Sequence, residues 1–571
     1  MFSLGAGAYP LQSFWGSLYG GMAARSFSLK NNISIFALAP LVTMAVLSGC
    51  VAADGDVQVN GHPGTDSSEL GASGGDAARL AIRGDVRSAV PRPASDIAWA
   101  PCGSVGGECA TIRVPVDWAH PAGETFELAI GRLPALDPGN RIGTLFLNPG
   151  GPGGSGIDSF ILNDNLFSNA VLRRQFDLVS WDPRGVERSQ AIVCSTELVN
   201  QVPFLYPRTQ AEYDAMVANN RKLGEDCRAR SGPLFDHVDT LSTVRDMDAI
   251  RAGLGEEKIS YYGVSYGTQI GQQYAEEFPE RIRAMVLDSN IDHSITSDFR
   301  YLQTNTEDFE KSFLAFAEWC EHAPVCKLYG RDVVAVWESL YQRALAGTLV
   351  DPTTGRRVGV EGLRGNLYAG MYNLNGRLLK LVNRLWSLDT GTPDTPPAPP
   401  PPVEEEEVTP YGYQAILCED WKFPTRSFHE LDAYRRALEG MYPHTQMTFS
   451  WGEIPGCYGF SAKVNNPQHR LSAPDAPPIL MLSARHDMAT PYDWNIASHR
   501  QLKTSVLLQQ DGIGHRQYGR PCVTESVDRY LTTLVTPPKD THCAADWPSA
   551  PLDTLEGNLL LPSIRPPRFR D

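Results

Sequence analysis

Short apolar runs recur along the chain, each closing in a Gly-rich or acidic loop, with helical stretches between them. Thr144 to Leu147, Phe176 to Trp181, Ile259 to Tyr262 and Ala284 to Leu287 are four such runs. Runs of this kind, alternating with helices, predict an α/β fold: a mostly parallel sheet covered by helices on both faces. Upstream, Ile112, Val114 and Val116, and then Phe126, Leu128 and Ile130, alternate with other residues and predict a pair of strands. Between about Asp292 and Ser472 the strand rhythm stops, and segments such as Phe309 to Cys320 and Val333 to Ala346 have helical spacing. The rhythm resumes at Ile479 to Leu482 and Val506 to Leu508. The expected organisation is therefore a core in two parts, 91–291 and 473–545, with a helical cap inserted as 292–472. Within the cap, residues 392–407 hold a run of prolines and four glutamates, expected to be an extended, solvated loop. Residues 546–571 form a Pro-rich tail without a reading.

The first fifty residues read as an address. Arg25 and Lys30 precede an apolar run from Ile33 to Leu47, too short to span a bilayer comfortably and placed as in a signal peptide. Residues 1–21 add nothing such a signal needs, so Met22 is a candidate start. The run ends in Leu47-Ser48-Gly49-Cys50, which resembles a bacterial lipoprotein signal and makes Cys50 the candidate lipidation site; an ordinary cleaved signal is the alternative. Residues 51–90 are rich in Gly, Asp, Ser and Ala without an apolar period and are expected to be a disordered tether. The formal charge of −16 argues against nucleic acid or anionic membrane as partners, since binding phosphate draws on clustered Lys and Arg. Membrane association is expected only through the N-terminal anchor.

The chain has eleven cysteines, and setting Cys50 aside leaves ten. They fall along the chain as Cys102 with Cys109, Cys194 with Cys227, Cys320 with Cys326, Cys418 with Cys457, and Cys522 with Cys543. An even count in an exported chain suits five disulfides, although the sequence leaves their connectivity open. No Cys/His spacing reads as a zinc site, and neither a metal nor a cofactor is expected.

Gly263-Val264-Ser265-Tyr266-Gly267 matches Gly-x-Ser-x-Gly between a strand candidate, Lys258 to Tyr262, and a helical stretch, Thr268 to Glu277. The same pattern around Ser73 has neither flank. A serine hydroxyl needs a base to take its proton and an acid to orient the base. In this architecture they follow in the order serine, acid, histidine. Among twelve histidines, His515 lies late, just past a strand, in Gly512-Ile513-Gly514-His515. Asp487, past the strand Ile479 to Leu482, is the expected acid; Asp288, past Ala284 to Leu287, is its competitor, and His486 is expected to be a surface residue. An oxyanion hole is expected from the amide of Tyr266 and from Gly150 and Gly151 of Asn148-Pro149-Gly150-Gly151-Pro152-Gly153-Gly154.

With Asp182-Pro183-Arg184-Gly185 and Ala415-Ile416-Leu417-Cys418-Glu419-Asp420, these motifs resemble the tripeptidyl aminopeptidase and proline iminopeptidase branch of the α/β-hydrolases, over about Ile97 to Cys543. The resemblance implies an α/β-hydrolase fold, peptide substrates and release of residues from free amino termini under a helical cap. Glu419 and Asp420 are candidates for binding the substrate's amino terminus, from their place in the cap motif. Glu187, where that branch usually has Gly, Arg485-His486 before the acid, and the Pro/Glu loop depart from the pattern. A carboxylesterase or lipase would use the same triad, and a non-catalytic binding lipoprotein would be expected to have lost part of it.

Overall fold

The computed structural model describes residues 97–550, apart from 163–166, 168–170, 202–205, 373–376 and 395–406. The expected signal peptide, Cys50, the tether, most of the Pro/Glu loop and most of the tail lie outside the described residues.

Twelve strands are described: β1 (Ala100–Cys102), β2 (Gly107–Pro115), β3 (Thr125–Leu133), β4 (Gly143–Asn148), β5 (Phe176–Trp181), β6 (Val193–Ser195), β7 (Ile259–Val264), β8 (Ile282–Asp288), β9 (Val408–Pro410), β10 (Ile479–His486), β11 (Ser505–Ile513) and β12 (Thr541–Cys543). Ten of them form one sheet in the order β1-β2-β3-β5-β4-β7-β8-β10-β11-β12. β1, β2, β3 and β5 pair antiparallel, and from β5 onward every pairing is parallel. β6 and β9 make a separate antiparallel pair that ties the inserted segment to the core. The short β1, β6, β9 and β12 have too few residues to produce a period and were not expected from the sequence.

The side-chain period of a strand divides the buried sheet between two cores. In β4 and β8, Phe146, Met285 and Leu287 pack with Val244, Met247 and Ile250 of helix Thr240–Gly253 and Tyr274 of helix Tyr266–Glu277. Their neighbours Leu145, Leu147, Ala284 and Val286 pack instead with Phe160, Leu172, Val527 and Leu531 on the other face. A third core lies within the insert, where Phe313, Trp337, Leu367 and Leu381 come from helices Asp298–His322, Val333–Leu345, Val360–Met371 and Arg377–Thr390. That core also takes in Met488 and Ile513, so the cap is packed onto the loops that carry Asp487 and His515.

All five sequence-neighbour cysteine pairs are disulfides: Cys102–Cys109, Cys194–Cys227, Cys320–Cys326, Cys418–Cys457 and Cys522–Cys543. The strand order sets the site. β5 lies on one side of β4 and β7 on the other, so the chain changes direction across the sheet here, and the carboxyl ends of β4 and β7 open a crevice between their loops.

Candidate active site

Ser265 stands in that crevice, at the turn from β7 into helix Tyr266–Glu277, with φ 56° and ψ −125°. A serine in this region is strained, and the surrounding contacts hold it there. Its N–H donates to Asp288 O at 2.9 Å, and its carbonyl accepts from Thr268 N at 2.8 Å and Thr268 Oγ1 at 2.6 Å. The end of β4 crowds the turn: a Cβ on Gly267 would lie 2.8 Å from Asn148 Oδ1 and 2.9 Å from Asn148 O. The small residue after the serine is thus required by close approach.

Gly150 meets the same elbow from the other side. Its φ is +80°, and a Cβ there would sit 2.3 Å from Val264 O and 2.8 Å from Tyr266 N. Its own N–H donates to Asn148 Oδ1 at 2.9 Å, which corrects one expectation: this amide is occupied and is not an oxyanion donor. Gly150 instead lets the loop touch the elbow, and Gly151 remains as the donor expected from the loop. Tyr266 opens its helix, so its N–H has no acceptor within the helix and is suited to an incoming oxygen.

Asp487 and His515 lie in the loops after β10 and β11. His515 Nδ1 is 3.0 Å from Asp487 Oδ1 and 2.9 Å from Oδ2, and both side chains are buried. Asp487 also accepts from Ala489 N at 2.9 Å, Thr490 N at 3.1 Å and Thr490 Oγ1 at 2.9 Å. Burial alone would raise its pKa, but the His515 ring and these donors outweigh burial and hold the carboxyl below its ordinary value. The carboxylate claims Nδ1, and Nε2 has no hydrogen-bond partner among the described residues. This imidazole is oriented at one nitrogen and left unpaired at the other, which suits a general base.

Asp288, the competing acid, does a different job. Its carboxylate accepts from Gln517 N at 2.8 and 2.9 Å, Tyr518 N at 2.9 Å and Tyr262 OH at 2.8 Å. With its carbonyl bound to Ser265 N, Asp288 fastens the histidine loop to the serine elbow. His486 is half-buried rather than on the surface, and burial, then Arg485 and Lys311, lower its pKa to about 4. Its carbonyl accepts from Gly514 N at 3.0 Å, bracing the same loop.

The cap reaches both halves of this arrangement. Tyr372 O accepts from His515 N at 2.8 Å, and the two rings lie 4.7 Å apart, centroid to centroid. On the opposite side, Tyr413 N is 3.1 Å from where a Cβ on Gly153 would stand. Nothing in the sequence singles out Tyr372, because its neighbours in the fold come from the far end of the chain.

Glu419 and Asp420 do not face an open site. Glu419 Oε2 accepts from Val238 N, Asp239 N and Asn465 Nδ2, each at 3.1 Å. Asp420 Oδ1 accepts from Thr240 N and Asn466 Nδ2 at 2.8 Å, and its Oδ2 from Thr240 Oγ1 at 2.6 Å and Tyr266 OH at 2.5 Å. Four donors use the acceptor capacity of Asp420, leaving none for a substrate ammonium group. Both residues are wholly buried, and their role is to hold the start of helix Thr240–Gly253 and, through Tyr266, the elbow. Burial, and then Asp239, raise the Asp420 pKa to about 7. The cost to the fold is therefore full above pH 7, where Asp420 is charged, and falls as pH drops through about 7 towards the unfolded value near 4. The melting temperature of wild type is expected to gain more than that of Asp420→Asn between pH 8 and pH 6, measured by circular dichroism; equal gains would show that Asp420 does not titrate here.

Among the described residues no group of three or more His, Cys, Asp or Glu is placed to hold a metal. Sheet, elbow and oriented histidine together define a serine hydrolase of the α/β-hydrolase fold. A family model described as TAP-like protein matches residues 442–543. The chain is 33% identical over 503 residues to serine protease Hip1 of Mycobacterium tuberculosis strain H37Rv, covering 81% of this chain and 94% of that one. It is 29% identical over 462 residues to the tripeptidyl aminopeptidase of Streptomyces lividans, covering 76% and 83%. Carboxylesterase B of M. tuberculosis strain H37Rv is 30% identical over 478 residues, covering 76% and 86%. The chain belongs to the TAP-like family of α/β-hydrolase serine peptidases.

Proposed function

We propose that the protein is an exported serine aminopeptidase that releases residues from the free amino terminus of peptides. The observation that carries this reading is the roof over the site, formed by Tyr372 against His515 and Tyr413 against the oxyanion loop. A centre covered on both sides admits a chain end more readily than the middle of a polypeptide. The relative named tripeptidyl aminopeptidase supports the amino end as the one admitted. The five disulfides support an oxidising compartment outside the cytoplasm, with Cys50 as the proposed lipid anchor.

In the proposed reaction, His515 Nε2 takes the Ser265 hydroxyl proton as Oγ attacks the scissile carbonyl, and Asp487 holds the ring through Nδ1 and balances its charge. The amides of Tyr266 and Gly151 receive the oxyanion. His515 then protonates the leaving amine, and water, activated by the same histidine, hydrolyses the acyl-enzyme.

Carboxylesterase activity is a second reading, favoured by the likeness to carboxylesterase B. Chromogenic substrates separate the two: a free-amino tripeptide amide, a proline amide, an N-blocked peptide amide and a short-chain ester, offered to wild type and to Ser265→Ala. Release from the free-amino amides alone, lost in the variant, is the expected result. Turnover confined to the ester would make the protein an esterase, and no turnover of any substrate would return the binding-protein reading.

A further inference from the structure

A carboxylate linked through Tyr413 to the oxyanion loop has no cationic partner among the described residues. Glu453 closes the 3-10 turn Phe449–Glu453, and the Cys418–Cys457 disulfide staples the following loop to helix Gly412–Asp420. Glu453 Oε1 accepts from Tyr413 OH and Oε2 from Tyr301 OH, both at 2.6 Å. Both donors are neutral. Several other enclosed carboxylates pair with a cation: Asp246 with Arg184, Asp248 with Arg251 and Arg281, and Asp487 with His515. Asp288, Glu419 and Asp420 have no Lys, Arg or His among their direct hydrogen-bond partners, but each accepts backbone amides and is wholly buried. Glu453 receives no backbone amide among the described residues, pairs with no Lys, Arg or His there, and keeps part of its surface open.

Its position is defined from two sides. Tyr413, which donates to Glu453, packs its main chain on Gly153 of the oxyanion loop. Tyr372, whose ring lies on His515, neighbours the Tyr368 ring at 5.9 Å, centroid to centroid; burial, then Asp487, raise the Tyr372 pKa against the pull of Arg516 and Arg377, and Glu453 adds the smallest push. Glu453 is thus joined through Tyr413 to the oxyanion loop, with Tyr301 and Tyr413 bracketing its carboxylate. A half-buried carboxylate among aromatic rings complements an ammonium ion, through charge-assisted hydrogen bonds and the ring faces.

We propose that Glu453, with Tyr301, Tyr368, Tyr372 and Tyr413, forms the subsite that takes an ammonium group of the substrate. Assigning that group to the free α-amino terminus, rather than to a lysine side chain, rests on the aminopeptidase reading. The subsite would then act as a ruler, since the span from Glu453 to Ser265 sets how many residues precede the cleaved bond.

The test is calorimetric binding to the Ser265→Ala protein, which needs no turnover. The probes are Ala-Ala-Ala amide, its N-acetyl derivative and N-acetyl-Ala-Ala-Lys amide. Acetylation is expected to weaken binding by at least about tenfold, consistent with losing a charge-assisted contact. Adding Glu453→Gln should bring the free and acetylated peptides to the same Kd, and Glu453→Asp, which keeps the charge, should restore part of the difference. Glu453-dependent binding of the lysine peptide would support the ammonium subsite and identify the side chain as its source. Equal Kd values for the free and acetylated peptides in the Ser265→Ala parent, or a preference surviving Glu453→Gln, would overturn the proposal; the parent comparison stands even if the Gln variant folds poorly. A wild type that cleaves only esters yet keeps the ammonium preference would sink the aminopeptidase reading and leave the subsite in place.

Discussion

Ser265→Ala is expected to lower kcat by about 10⁶-fold, and Asp487→Asn by about 10⁴-fold, with little change in the melting temperature of the alanine variant. The difference follows from what each residue supplies. In the proposed mechanism no acyl-enzyme forms without the hydroxyl, whereas an amide at 487 leaves the nucleophile in place and holds His515 in the wrong tautomer, because Nδ1 would face a donor. Asp288→Asn is the discriminating control. Asp288 accepts from Gln517 N and Tyr518 N on the histidine loop and makes no hydrogen bond to the imidazole among the described residues. Its loss is expected to lower the melting temperature and to cost far less in kcat than Asp487→Asn. Steady-state kinetics on the best substrate of the panel, beside circular dichroism of each variant, decide it. An Asp288→Asn loss as deep as that of Asp487→Asn would make Asp288 the orienting acid.

The residues that the chain's own local chemistry specifies were legible without coordinates. Ser265 was readable because a strand-to-helix elbow demands small neighbours, and His515 because it lies in a Gly-flanked loop past a late strand. Asp487 and Asp288 were harder to separate. Both follow buried parallel strands, and only the register of β8 beside β10 sends Asp288 to the histidine loop backbone and Asp487 to the imidazole. Gly150 was misread because a glycine-rich loop shows that amides are free to approach a ligand, not which amide a neighbouring Asn148 has already taken. Glu419 and Asp420 were misread because position in a motif says nothing of partners 180 residues or more away, such as Val238 N and Thr240 N. Glu453 and Tyr372 gave no local signal, since each draws its meaning from chain segments that meet only in the fold.

Arg184→Met is expected to destabilise the protein by about 3–5 kcal/mol, the usual cost of removing one partner from a buried ion pair. Arg184 and Asp246 are wholly buried. The guanidinium donates from Nε to Asp246 Oδ2 at 2.7 Å and from Nη2 to Oδ1 at 2.6 Å. It also donates to Val116 O and His237 O at 2.8 Å, and to Pro115 O at 3.2 Å. One side chain therefore joins the loop after β5, the end of β2 and helix Thr240–Gly253, and leaves three carbonyls and a carboxylate short of donors when it is removed. Trp118 Nε1, at 3.0 Å from Asp246 Oδ1, would be the side-chain donor left to that carboxylate among the described residues. Burial already raises the Asp246 pKa against the pull of Arg184, so losing the arginine raises it further. The folded variant then binds a proton more tightly than the unfolded chain, and its deficit should be largest at neutral pH and shrink as pH falls. Replacing Asp246 as well, by Leu, removes the stranded charge and should recover much of the loss. Denaturant unfolding of wild type, Arg184→Met and the double variant at pH 8 and pH 5 measures all of this. A single variant with the wild-type midpoint at pH 8 would mean that the pair does not hold these segments together.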